Sequence, residues 1–146
     1  MKSLIAYYSY TGNTAKMARK LAEKRGTHLL EVRDINRPGL LRAYTAGGIA
    51  ALKGIAWETQ PFDLEIGDFD HITIMSPVWA GRPVPAINSL LAQLPSGKRV
   101  EVIMVSASGK SNCRQRLEAL LRAKDCTLVS FKNVCGKLAK QLDMPS

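Results

Sequence analysis

The chain has 146 residues, of which 46% are apolar and 23% charged, with a net charge of +9. One domain over 1–146 is expected, burying roughly 68–70% of the surface its unfolded chain exposes, and the composition excludes disordered and collagen-like classes. No apolar run approaches the roughly 20 residues of a membrane-spanning helix, and Met1-Lys2-Ser3 enters LIAYY without a secretory apolar region, so a cytoplasmic protein is expected.

The first apolar run, SLIAYYS (3–9), predicts a strand. It passes into a loop in which Ser9, Thr11 and Thr14 carry hydroxyls, Asn13 an amide, and Gly12 no side chain at all. From Thr14 to Arg25, Ala15, Ala18, Leu21 and Ala22 fall at helical spacing, Lys16, Arg19, Lys20, Glu23 and Lys24 occupy the other face, and Gly26 is a stop. THLLEVR (27–33) alternates and predicts an edge strand. Residues 36–62 are irregular: a turn at Asn36-Arg37-Pro38-Gly39, then a stretch of helical character that Gly47-Gly48 interrupts. HITIMS (71–76) and RVEVIMVS (99–106) are nearly continuous apolar runs, as strands buried on both faces should be. Between them, Ile87, Leu90, Leu91 and Leu94 mark a helix over 84–94, with Pro83 and Pro85 placed in its first turn. Cys113, Leu117, Leu120 and Leu121 mark another over 112–124, CTLVSFKN (126–133) predicts a second edge strand, and the last dozen residues allow a short helix.

Alternating strands and helices predict a parallel sheet with helices on both faces. In such sheets ligands bind beyond the carboxyl ends of the strands. Three loops fall there: Ser9–Thr14, Pro77–Pro83 and Ser106–Ser111. In the first, a helix N-terminus offers unpaired N–H groups and a positive dipole end, the hydroxyls add donors, and Gly12 lets the backbone come close. Neutral donors of this kind suit a phosphate monoester better than a transferable triphosphate. The plain alternative is an N-cap with spare hydroxyls.

Ser9-Tyr10-Thr11-Gly12-Asn13-Thr14 resembles the phosphate loop of the flavodoxin family, (S/T)-x-T-G-x-T, in the expected place between strand one and helix one. SPVWAGRPVPAINSLL resembles the P-x-W-x-G-x-P-x-P stretch of small flavodoxin-like proteins. The resemblance implies a flavodoxin-like doubly wound five-stranded sheet of order 2-1-3-4-5, an order for which flavodoxin is itself the type example. It implies noncovalent FMN, its phosphate in Ser9, Tyr10, Thr11, Gly12, Asn13 and Thr14 and its ring against Pro77, Val78, Trp79, Ala80 and Gly81. Trp79 is then the stacking partner, with a loop anchor as the plain alternative. Ala80 and Gly81 would bring backbone groups to flavin N5. The third loop, SASGKSN, departs from the acidic and aromatic stretch of electron-carrier flavodoxins. Backbone groups of Ser106, Ala107, Ser108 and Gly109 would meet the other ring edge, and the second face is left open or covered by Tyr10, Tyr44 or Trp57. Gly47-Gly48-Ile49-Ala50-Ala51-Leu52-Lys53-Gly54 resembles a G-G-x-x-A-L-x-G stretch of the same relatives, read as a flap near the ring, a contact between two copies, or a surface crossover.

The resemblance leaves an electron carrier, an NAD(P)H-dependent quinone or flavin reductase, and a non-redox interaction module. Length favours the carrier, because little chain remains for a second substrate site. Carrier flavodoxins are acidic and dock on basic partners, so a +9 chain calls for acidic redox partner proteins. Residues 98–146, with 10 basic and 4 acidic side chains, hold +6 of that charge, but no basic run exceeds two residues, so neither nucleic acid nor membrane is expected as a partner. Cys113, Cys126 and Cys135 form no CxxC, and His28 and His71 lack an i, i+4 partner, so no metal site is expected. Gly109-Lys110-Ser111 imitates the end of a P-loop, but Met104 stands where that motif needs glycine.

Overall fold

In the computed structural model, which describes residues 2–136, the strands are β1 (Ser3–Tyr7), β2 (His28–Glu31), β3 (His71–Trp79), β4 (Arg82–Pro83), β5 (Arg99–Ser106) and β6 (Thr127–Cys135). The helices are α1 (Asn13–Arg25), α2 (Leu40–Arg42), α3 (Gly48–Lys53), α4 (Pro85–Ala92) and α5 (Arg114–Ala123). The sheet runs β2-β1-β3-β5-β6 with every neighbour parallel, and the two-residue β4 pairs antiparallel with the end of β3. Leaving β4 aside, this is the expected 2-1-3-4-5 order, with the two alternating runs at the edges.

The strands divide their side chains between two cores, as a period of two requires. Leu4, Ala6, Ile72, Ile74, Val100, Val102 and Met104 face α4 and α5, which bury Ile87, Leu90, Leu91, Leu117 and Leu121 against them. Ile5, Tyr7, Met75, Ile103 and Val105 face α1, whose Ala15, Met17, Ala18, Leu21 and Ala22 form the stripe seen in the sequence. Small alanines let α1 lie close to the sheet, and Gly26 ends it at φ 65°. On the α1 face one carboxylate is buried: Glu101 receives Arg25 Nη1 at 2.6 Å and the Thr73 hydroxyl at 2.8 Å, with Lys132 Nζ 3.7 Å away.

Three elements differ from expectation. Strand β3 continues through Pro77 to Trp79, because β1 has ended opposite Met75 and the side of β3 that Pro77 cannot serve has no strand neighbour there among the described residues. Pro83 belongs to β4 rather than to a helix, while Pro85 does open α4. Gly47-Gly48 does not interrupt the helical stretch: α2 runs into a π-helical turn, Ala43–Gly47, and on into α3. The short helix expected in the last dozen residues falls on 137–146, outside the described residues, as does the side chain of Tyr44.

Candidate functional site

The parallel strands β1, β3 and β5 point their carboxyl ends the same way, and so bring all three loops to one edge. Tyr7 pairs with Met75, and Ser76 and Pro77 with Met104 and Val105. A cavity of about 240 Å³ opens there, lined by Thr11, Asn13 and Thr14 from the first loop, Pro77 and Val78 from the second, and Val105, Ser106 and Ala107 from the third. Val78 also lines a second cavity of about 450 Å³, whose other walls include Tyr10, Trp79, Ala80, Leu40 and Gly48.

In the first loop Gly12 has φ 98° and its N–H donates to Ser9 Oγ at 3.1 Å. Lys16 N–H returns to Gly12 O, so α1 begins at Asn13 and no side chain caps it. Among the described residues the hydroxyls of Thr11 and Thr14 are therefore not spent on capping. The N–H groups of Asn13, Thr14 and Ala15 are the ones a helix start leaves without an intrahelical acceptor. With no acidic residue in that turn, its positive end faces the cavity unopposed.

The second loop is a tight hairpin. Ala80 at φ 50° and Gly81 at φ 79° are its two central residues, between the pairs Trp79↔Arg82 and Val78↔Pro83. Positive φ at both positions is what a two-residue hairpin of this hand demands. Gly81 is held twice over: its carbonyl accepts Asn112 N–H at 2.9 Å, and a Cβ on it would stand 2.5 Å from Asn112 Oδ1. Trp79 is half-buried, edge-on to Tyr8 and Tyr10 at 6.2 and 5.7 Å between centroids. Its ring lies so close to Gly47 that a Cβ there would meet Cζ3 at 2.7 Å. It is thus anchored by the π-helical turn and lines the larger cavity as well.

In the third loop Ser106 Oγ accepts N–H from Gly109 at 2.9 Å and Lys110 at 3.2 Å, so its hydroxyl shapes the loop. Ser108 is exposed, and a Cβ on Gly109, at φ 69°, would come into ordinary contact with Cys135. Of the expected residues, Thr11, Asn13, Thr14, Pro77, Val78, Ser106 and Ala107 line the smaller cavity and Tyr10, Val78, Trp79 and Ala80 the larger. Ser9 and Gly12 face a third hollow, beside the end of β2, while Gly81, Ser108 and Gly109 line none of these.

Sequence reasoning missed a group behind the first loop. Tyr8 donates its hydroxyl to Asp34 Oδ2 at 2.6 Å, and Asp34 Oδ1 is buried with no partner among the described residues. Burial raises the affinity of both groups for their protons, Tyr8 further through the carboxylate it faces, while Tyr8, Arg42 and Arg37 partly offset the rise at Asp34. Arg37 donates to Tyr10 O and lies 4.4 Å from the Tyr10 ring, whose hydroxyl donates to Pro38 O at 2.9 Å. Tyr10 is thereby turned against 37–38 rather than left in solvent. Only Asp34, just past a strand and before the 36–39 turn, carried any sequence signal, and its partner is 26 residues away.

No protein-family model and no curated protein matches the chain. Among solved structures it is similar to a flavoprotein in complex with FMN from Lactobacillus acidophilus NCFM, at 25% identity over 98% of this chain and 99% of that one, with a TM-score of 0.71. A candidate flavoprotein of Bacteroides eggerthii DSM 20697 gives 20% identity, coverage of 96% and 94%, and a TM-score of 0.75. The two-electron reduced flavodoxin of Megasphaera elsdenii gives 16% identity, coverage of 96% and 94%, and a TM-score of 0.58.

Proposed function

We propose that this chain, flavodoxin-like in its sheet order and in its solved neighbours, binds FMN noncovalently and carries electrons between redox proteins. One observation carries the reading: a helix start without a side-chain cap opens, with three spare polar side chains, onto a cavity to which all three loops contribute. The residues fit the group. Thr11, Asn13 and Thr14 would hold the phosphate through hydroxyls, amide and backbone N–H, with the α1 dipole in support. Val78, Trp79 and Ala80 would face the ring on one side, and Ser106 and Ala107 on the other. Bound FMN would supply one- and two-electron redox chemistry. The chain's own part is to bind and orient it, and to fix the Gly81–Arg82 peptide of the hairpin, whose carbonyl accepts Asn112 N–H.

The helix over 40–53 supports an acidic protein as partner. Leu40, which also lines the larger cavity, Leu41, Ile49 and Leu52 are exposed on it, Arg42 and Lys53 belong to the same helical stretch, and Arg37 lies just before it. An apolar centre with a cationic rim complements an acidic surface, whereas a second copy would set like charges against each other. No helix among the described residues is long and apolar enough to cross a membrane. The test is electron flow in FMN-loaded protein. NADPH alone is expected to be oxidised only at background rate, and NADPH with a separate reductase protein to reduce the chain, more slowly in Arg37→Glu/Arg42→Glu and at higher salt. Sustained oxidation of NADPH without a reductase would make the protein an enzyme instead.

A further inference from the structure

Away from the three loops, a cavity of about 330 Å³ lies between α3, α4 and α5, at the small end of the range for ligand sites. Its walls are apolar: Ala51 from α3, Leu91 and Ala92 from α4, Leu117 and Leu120 from α5, and Pro83. Three cations reach it, Arg82, Arg116 and Lys124, and no acidic side chain among the described residues lines it. Two of the three are occupied: Lys124 Nζ donates to Ala92 O and Leu94 O, and Arg116 Nη1 to Leu52 O. Arg82 differs. Its Nε is buried and has no hydrogen-bond acceptor among the described residues, although a buried guanidinium donor ordinarily finds one.

An apolar hollow with a cation at its wall and an unused donor on that cation selects for one ligand chemistry. A neutral lipid would leave Arg82 unanswered, and a small hydrophilic anion would leave the apolar wall wet. We propose that this cavity binds a monocarboxylate with a compact apolar body, of the size of a medium-chain fatty acid, its carboxylate on Arg82 and its chain between Ala51, Leu91, Leu117 and Leu120. A carboxylate matches the planar guanidinium in charge and geometry. The site is independent of the FMN reading, since none of its walls belongs to the cavities at the loop edge. It nevertheless adjoins the second loop: Arg82 follows Gly81, and Cys113, another wall residue, follows the Asn112 that holds Gly81.

The test is isothermal titration of the full chain with decanoate, and with decanol and decyltrimethylammonium as probes of the same chain length. Saturable 1:1 binding of decanoate is expected, at least tenfold tighter than that of decanol, with the ammonium weakest. Arg82→Met should remove the tenfold preference and leave decanol binding unchanged, which also shows that the variant is folded. Ala123→Trp, which adds an indole at the cavity wall, should weaken binding of all three, with circular dichroism confirming its fold; if it does not fold, the Arg82→Met comparison decides. No saturable decanoate binding, an equal affinity for decanol, or full decanoate affinity in Arg82→Met would each overturn the proposal.

Discussion

Gly12 and Gly81 both stand at positive φ in the site loops, yet the structure sets different costs on adding a methyl group to each. At Gly12, φ 98°, a Cβ would find nothing within 4 Å. Gly12→Ala therefore meets only backbone strain, about 1–2 kcal/mol for an L-residue in this half of φ space. At Gly81, φ 79°, a Cβ would stand 2.5–2.9 Å from three atoms of the Asn112 side chain. Gly81→Ala meets the same strain and must also push aside the tip of the exposed Asn112 side chain, adding about 0.5–1.5 kcal/mol where it leaves its rotamer. Chain stability should thus fall by about 1–2 kcal/mol for the first and about 1.5–3.5 for the second, read from urea unfolding of the FMN-free protein. At this length each kcal/mol is about 2–4 °C in Tm. The same samples titrated with FMN should show weakened affinity in both, because Gly12 shapes the phosphate loop and Gly81 the hairpin. Equal costs would refute the Asn112 contact as a constraint. A Gly12→Ala protein as stable as its parent would refute the strained turn.

Thr11→Val should raise the Kd for FMN about tenfold or more, the loss of a hydrogen bond to a charged group being worth about 1.5–3 kcal/mol, and leave the Kd for riboflavin, which has no phosphate, unchanged in fluorescence titrations. Tyr8→Phe should destabilise the fold by about 1–3 kcal/mol in urea unfolding, because Asp34, with Oδ1 unpartnered among the described residues, loses the donor at Oδ2. Glu101→Gln should cost about 3 kcal/mol at pH 7, the low end for a broken buried pair, since Arg25 and Lys132 remain 25% and 26% exposed and regain some water. The pH profile supplies a signature for it. Although burial pushes the Glu101 proton affinity up, Arg25, Thr73 and Lys132 together hold its pKa below the ordinary 4.5, so its stabilisation is present above about pH 4.5 and fades as pH falls through the depressed value. Glu101→Gln should lack that acid-side loss.

The sheet and the first loop were legible because their causes are local. Strands β1, β3 and β5 are covered on both faces and so read as continuous apolar runs, and the α1 stripe fell at helical spacing up to a glycine stop. The prolonged β3 was not legible, because Pro77 is tolerated only where β1 has already ended, a fact of tertiary pairing. Nor was the helix through Gly47-Gly48. Two glycines read as a break, but Gly47 is there because the Trp79 ring leaves no room for a Cβ. The Tyr8–Asp34 pair and the clasp of Arg37 and Pro38 on Tyr10 join positions 26–28 residues apart, with no pattern in the chain to announce them. Trp79, read in the sequence as a stacking partner or a loop anchor, is packed against Gly47 and also lines the larger cavity.

The most direct measurement is the visible absorption spectrum of the purified chain after adding FMN and removing the excess, with riboflavin in parallel. Flavin bands should be retained at one FMN per chain with quenched fluorescence, and riboflavin held far more weakly, because the phosphate is the group that the uncapped start of α1 with Thr11, Asn13 and Thr14 would hold. A colourless protein that neither retains FMN nor quenches it, or one that holds riboflavin as tightly as FMN, would contradict the central claim.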